Sequence, residues 1–293
     1  MQTLGFLGTG IMGTAMAHRL LDAGYELRVW NRTQSKLKPL LDKGARAEKT
    51  PREVVEHSGI TLAMLADPEA AHSVFFGEDG VCQAMAPEKS YIDLSTVDPH
   101  TPQQIAEAVE NKGGRFLEAP VSGSKKPAEE GTLVVLAGGN SKLYSDAEKI
   151  FSIIAKKSFY LGEAGRGARM KLVVNMVMGS MMSAFSEGLA LAESSGLDPE
   201  QLIDVLQNGA LANPMFQIKG PNMLDEDYTV NFPLKHMQKD MRLAVALGDE
   251  SGQPLFGAAS ANEQFKRALT AGSGDLDFSA VHQAVKGRGR GSS

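Results

Sequence analysis

A chain of 293 residues, 42% hydrophobic and 22% charged, is long enough to build more than one core and too apolar for a disordered or fibrous protein. With 30 basic against 35 acidic residues its formal net charge is -5, which gives no global attraction to nucleic acid, although a local patch can still bind an anion. The single cysteine, Cys82, excludes an internal disulfide and a cysteine-held zinc, so no metal is expected, and it fits a reducing, cytoplasmic setting.

Thr3 to Leu7 is a short apolar run with no basic segment before it, so it reads as a core strand rather than a signal or transit peptide. Further strands are expected at Glu26 to Trp30, Ile60 to Leu65, Ser90 to Leu94, Arg115 to Leu117 and Thr132 to Ala137. Between them, Met12 to Ala23, Ser35 to Leu41, Thr101 to Asn111 and Lys142 to Ile154 have helical composition and spacing. That alternation predicts an α/β fold whose N-terminal part is a Rossmann-type, doubly wound, mainly parallel sheet covered on both faces.

Strand signals end near Phe159 to Leu161, and the glycines of Gly162 to Gly167 mark a turn or hinge. Ala168 to Glu193 reads as one long helix. Its apolar stretch from Leu172 to Leu191 is interrupted by Asn175, Ser180, Ser183, Ser186 and Glu187, so no membrane span is expected. Asp198 as N-cap with Pro199 behind it starts a new helix, and helical segments follow at Glu200 to Gln207, Leu234 to Leu247 and Leu255 to Ala271. The expected organisation is a Rossmann-type domain over 1–162, a hinge and long interdomain helix over 163–194, an all-helical C-terminal domain over 195–286, and a frayed tail over 287–293.

Gly8-Thr9-Gly10-Ile11-Met12-Gly13 follows the first strand and opens the first helix. In that context the first glycine permits a tight turn, the second leaves room for a pyrophosphate against the backbone, and the third lets helix and strand pack closely. A glycine turn with no ligand is the competing reading, and the strand-turn-helix setting favours the dinucleotide. At the end of the second strand an acidic residue would select NADH. The chain has Trp30-Asn31-Arg32-Thr33 instead, where Arg32, helped by Asn31 and Thr33, suits a 2'-phosphate and favours NADPH. A merely solvated Arg32 is the alternative. Ser95 or Thr96, just past another strand, can meet the nicotinamide end; a helix cap at Ser95, Thr96 or Asp98 explains the same residues equally well.

Lys171 and Asn175 share one face of the long helix, so a lysine proton donor and an orienting amide can act together; the spacing alone is nonspecific, and two exposed side chains are the default. Lys235, His236, Lys239, Asp240 and Arg242 form a polar cluster whose plain reading is a solvated helical face. Glu118-Ala119-Pro120-Val121-Ser122-Gly123-Ser124 follows a strand, and hydroxyls and amides of such a loop can hold a carboxylate or simply make a turn.

Taken together these segments resemble the beta-hydroxyacid dehydrogenase family over nearly the whole chain, and within it the glyoxylate and succinic semialdehyde reductases. Phe6 to Gly13 matches the family's opening fingerprint, Glu118 to Gly123 its substrate loop, where aspartate often stands at the position of Glu118, and Gly167 to Asn175 its catalytic helix, with Arg169 a minor departure. Lys239-Asp240 with Leu243 resembles its late segment.

The resemblance implies Lys171 and Asn175 as catalytic residues, with Ser122, Gly123, Lys239 and Asp240 placing substrate. It also implies cofactor contacts from the glycine loop, Asn31, Arg32, Thr33, Met64, Leu65, Thr96 and Lys239. The implied activity is NADPH-dependent reduction of glyoxylate, succinic semialdehyde or both, in a homodimer or homotetramer with no nucleic-acid or membrane partner. A lysine with a reference pKa of about 10.4 is a ready donor at neutral pH, in keeping with reduction. The alternatives are an enzyme acting on 3-hydroxyisobutyrate or tartronate semialdehyde and, from another class, an NADPH-sensing interaction protein without turnover.

Overall fold

A computed structural model describes residues 3–286, so the tail expected over 287–293 lies outside the described residues. Two compact units divide inside the long helix, the first ending at Leu172 and the second beginning at Val173.

The first unit runs β1 (Thr3–Leu7), α1 (Ile11–Asp22), β2 (Glu26–Trp30), α2 (Lys38–Leu41), β3 (Arg46–Ala47), α3 (Pro51–Glu56), β4 (Ile60–Ala63), α4 (Pro68–Phe76), β5 (Ser90–Asp93) and α5 (His100–Asn111). It continues with β6 (Arg115–Glu118), β7 (Val121–Ser122), α6 (Lys125–Glu130), β8 (Leu133–Gly139), α7 (Ser141–Ile154) and β9 (Ala155–Tyr160). The sheet order is β3-β2-β1-β4-β5-β6-β8-β7, with β9 paired to β8. β1 to β6 pair in parallel, as the alternating pattern predicts. β8 runs antiparallel to both β6 and β7, because a tight β7 and a short helix replace a full crossover there.

Leu4 to Leu7 of β1 are buried without alternation, the mark of a strand covered on both faces. One core packs Leu4, Phe6, Val29 and Ile92 with Met16 and Leu20 of α1 and Phe151 of α7. A second packs Leu7, Tyr91 and Phe116 with Val54 of α3, Phe75 of α4 and Ile105 of α5.

The expected hinge is shorter than Gly162 to Gly167. Gly162 and Gly165 have φ of 103° and 94°, but α8 (Arg166–Ser194) already includes Gly167. Gly167 is there for closeness rather than for turning, since a Cβ on it would stand 2.3 Å from the Leu136 carbonyl oxygen.

The second unit is all helical, with α9 (Pro199–Gln207), α10 (Pro214–Leu224), α11 (Leu234–Ser251), α12 (Phe256–Thr270) and α13 (Val281–Val285) following α8. Asp198 caps α9 as its Asp-Pro pair predicts, accepting the Glu200 amide at 3.0 Å. The core joins Met182, Phe185 and Leu189 of α8 to Phe216 of α10, Met237 and Met241 of α11, and Phe265 of α12. By length and composition alone α8 is apolar enough to cross a membrane, with a mean hydropathy of 1.2 over its richest window, so its polar interruptions are weaker than they look in the sequence. Within the protein, however, Ser183 donates to Gln264 Oε1 and Ser186 to the Met182 carbonyl, as in a core helix.

Candidate active site

The glycine loop between β1 and α1 has the shape its sequence requires. Gly8 sits at φ 88°, and its amide donates to the Trp30 carbonyl at 2.9 Å, bending the chain at the ends of β1 and β2. A Cβ on Gly13 would lie 2.0 Å from the Gly8 carbonyl oxygen, so this glycine holds α1 against the turn. Gly10 differs: a Cβ there would meet no protein atom within 4 Å, which leaves the backbone open to a ligand.

The first turn of α1 carries no acidic residue, so its amides and the positive end of the helix dipole are available to an anion. Thr9 Oγ1 is buried with no hydrogen-bond partner among the described residues. An orphaned hydroxyl beside an open helix N-terminus fits the diphosphate of a dinucleotide.

Asn31 is committed to the loop itself. Its Oδ1 accepts the Thr9 amide at 2.9 Å and its Nδ2 donates to the Thr33 carbonyl at 2.8 Å, so it shapes the turn that presents the exposed Arg32 and Thr33. Beside the loop an open groove of about 720 Å³ is lined by Gly10, Ile11, Arg19, Lys36, Lys43 and Lys125 among others. Lys36 is a cation that sequence reasoning did not single out, although it lies one helical turn past Arg32 in the chain.

The open question over Ser95, Thr96 and Asp98 resolves by hydrogen bonds. Asp98 is the cap: Oδ1 accepts the His100 and Thr101 amides at 2.9 and 3.0 Å, and Oδ2 accepts the Thr101 hydroxyl at 2.7 Å. Ser95 is a tie between strand ends, its Oγ accepting the Leu65 amide at 2.8 Å while its own amide donates to Asp93 Oδ1. Thr96 stands half-buried between them, past the carboxyl end of β5. Met64 and Leu65 follow β4 and are likewise half-buried, with the Met64 carbonyl against Gly8.

Ser122 is half-buried on β7, and Gly123 is exposed at φ 127°, a backbone conformation that another residue would reach only with strain. Glu118, which opens the same segment in the sequence, is turned elsewhere. It is 2% exposed at the end of β6, and accepts the Gly167 amide at Oε1 (2.8 Å) and the Ala168 amide at Oε2 (3.1 Å). Burial pushes its carboxyl up to about 7, against the pull of the Gly167, Ala168 and Gly165 amides.

The default of exposed side chains fails for Lys171 and Asn175, which are 5% and 1% exposed on α8. The solvated-face reading of the late cluster fails too. Lys235 and Arg242 are exposed, but Lys239, on the same face of α11 between them, is 9% exposed, and Asp240 is 1% exposed on another face, so the cluster is not a uniformly solvated surface. Asp240 Oδ2 accepts Asn175 Nδ2 at 2.5 Å, and Lys239 Nζ lies 3.0 Å from Asp240 Oδ1 in an ion pair without hydrogen-bond alignment. Within the second unit, Asn175, Asp240 and Lys239 therefore form one buried polar chain, and Lys171 precedes it by one turn of α8. The amide of Asn175 is oriented by that carboxylate, and Lys171, one turn earlier on the same helix, is by residue type a proton donor.

Two family models divide the chain between them. One, described as the NAD binding domain of 6-phosphogluconate dehydrogenase, matches residues 3–162, and the other, described as NAD-binding of NADP-dependent 3-hydroxyisobutyrate dehydrogenase, matches 165–285. The chain is 55% identical to glyoxylate/succinic semialdehyde reductase 1 of Arabidopsis thaliana, over 97% of this chain and 98% of that protein. It is 49% identical to the chloroplastic reductase 2 of the same plant, over 97% of this chain and 79% of that protein. Among solved structures, a 3-hydroxyisobutyrate dehydrogenase from Salmonella typhimurium superposes with a TM-score of 0.88 at 27% identity, covering 97% of this chain and 99% of that one.

Proposed function

The chain belongs to the beta-hydroxyacid dehydrogenase family and is an NAD(P)-dependent oxidoreductase, and from that premise we propose that it uses NADPH to reduce glyoxylate, succinic semialdehyde or both to the hydroxy acid. The observation that carries the reading is Lys171, an ammonium held away from bulk water one turn before an amide that Asp240 orients. Preference for NADPH rests on Arg32, presented from the Asn31 turn where a carboxylate would stand in an NADH enzyme.

When bound, the reduced nicotinamide supplies a hydride to the carbonyl carbon. The chain's own part is position and charge. Ser122 and the backbone amide of the exposed Gly123 hold the substrate carboxylate, since hydroxyl and backbone donors together favour an anion. Lys171 faces negative charge as it develops on the carbonyl oxygen, stabilises it, and passes it a proton. Asn175, fixed by Asp240, keeps the lysine and the oxygen aligned, and Lys239 balances the Asp240 charge. Thr96, Met64 and Leu65 shape the wall past the ends of β4 and β5, where doubly wound sheets bind their ligands.

The test is turnover of glyoxylate, succinic semialdehyde, tartronate semialdehyde and 3-hydroxyisobutyrate with each cofactor, in wild type and Lys171→Ala. The expected result is preferred reduction of the first two with NADPH, and a loss of kcat of about a hundredfold or more in the variant with NADPH binding retained. Near-normal kcat in Lys171→Ala would remove the donor role. A second reading, oxidation of 3-hydroxyisobutyrate, is favoured by the description of the C-terminal family model and by the Salmonella structure, and the same panel decides it.

A further inference from the structure

Glu118 is a buried acid that the reaction above does not use. A helix begins with amides that have no intrahelical acceptor, and the residue just before the helix normally supplies one. At α8 the acceptor comes instead from the end of β6, 49 residues before Gly167, and both carboxylate oxygens are committed to the first turn. The seat is close on every side. A Cβ on Gly138 would stand 2.6 Å from Glu118 Oε1, and one on Gly167 would stand 3.2 Å from the Glu118 carboxyl carbon as well as 2.3 Å from the Leu136 carbonyl oxygen. Strands β6 and β8 and the start of α8 thus meet around a single carboxylate.

Lys171 is one turn beyond Gly167 on that helix, so a shift at the first turn is carried directly to its side chain. We propose that Glu118 is a positioning residue for Lys171, its carboxylate clamping the first turn of α8 to the sheet and so fixing where the lysine ammonium stands. The proposal rests on the reading of Lys171 as proton donor. It also explains the choice of residue: the site lies beside Asp93, whose charge works against a second carboxylate, and a neutral cap would hold a helix end at less electrostatic expense. The acid gives each of two adjacent amides its own oxygen, so the turn is held at two points rather than one.

The experiment is a double-mutant cycle of Glu118→Gln and Lys171→Ala, with Glu118→Ala as a more severe single variant. It reads single-turnover loss of NADPH with excess aldehyde, together with KM and the NADPH Kd. Gln keeps the shape and one acceptor while turning its amide N-H toward a backbone donor. Glu118→Gln is expected to lower the rate roughly tenfold, with NADPH Kd and substrate KM within about twofold of wild type. In the Lys171→Ala background it is expected to remove nothing further, because its effect passes through the missing amine. The idea is overturned by wild-type rates in both Glu118 variants, or by a Glu118→Gln loss that recurs in full without Lys171, which is what a general structural role gives. Normal turnover in Lys171→Ala alone overturns the donor reading beneath it, and is distinguishable because a failed clamp shows instead as normal Glu118 variants beside an impaired Lys171 one.

Discussion

Arg32 stands exposed on a turn that its neighbours make rigid, with the Asn31 side chain bonded to Thr9 on one side and Thr33 on the other. A guanidinium offered from a fixed backbone loses less freedom when it grips a phosphate, and its fork matches two phosphate oxygens. Arg32→Ala is therefore expected to raise KM for NADPH about tenfold and to leave that for NADH within about twofold. An equal change for both coenzymes would place Arg32 outside the phosphate contact. The shape of the glycine loop was legible because its signal is local, Gly8, Gly10 and Gly13 falling within one short turn of chain, whereas the Lys171–Asn175 spacing was nonspecific and only the family resemblance singled it out. Asp240 was likewise reached only through the resemblance, and Glu118 only as the residue that opens a loop. What ties Asp240 to Asn175 is a hydrogen bond from another helix, and what ties Glu118 to α8 is the first turn of that helix, so composition and spacing near either one read as a charged surface or a loop.

The elements that periodicity passed over are short ones, where a hydrophobic face has too few turns to repeat, together with the 11-residue α10, whose internal Gly220-Pro221 reads as a helix breaker. Three of them nevertheless carry a start signal, a capping side chain followed by proline at the first helical position: Thr50-Pro51 at α3, Asp67-Pro68 at α4 and Asn213-Pro214 at α10. The two-residue strands β3 and β7 carry none, since pairing alone defines them. Within the helical unit, order among short pieces depends on Asp277, which is 1% exposed. Its Oδ1 accepts Lys219 Nζ of α10 at 2.7 Å and the Ser279 hydroxyl at 2.8 Å, while Oδ2 accepts the Asn231 and Phe232 amides at 3.0 and 3.2 Å. Lys219, 7% exposed, also lies 5.4 Å from the Phe278 ring centre. Asp277→Ala strands a buried ammonium and two amides and is expected to cost about 3–5 kcal/mol in urea unfolding. Lys219→Met leaves the Asp277 carboxylate with its amide and hydroxyl donors and is expected to cost less. If Lys219→Met proved the more damaging, Asp277 would not be the organising partner.

For the molecule as a whole, these buried charges set how stability responds to pH. Glu118 has an ordinary value of 4.5 that burial raises to about 7 in the folded chain. Between those values the unfolded chain has released the proton while the folded chain still holds it, so stability falls as pH rises through the window and levels off above about 7, by as much as about 3 kcal/mol. His282, 3% exposed, acts in the opposite sense: burial first, then Lys286, hold it below its ordinary 6.5, so it takes stability away as pH falls below that value. The two slopes overlap, and a profile of the wild type alone hides both. Comparison with Glu118→Gln separates them, because His282 is common to the two proteins and only the carboxyl differs. Unfolding free energies at pH values on either side of the window are expected to show the wild type losing ground to the variant as pH rises, while the same variant turns over more slowly. A difference that stays constant with pH would mean that Glu118 titrates in the folded chain as it does in water. A pH-dependent stability cost that disappears in Glu118→Gln together with turnover is the pairing expected of a fold that keeps a costly buried acid because that acid holds a reacting group in place.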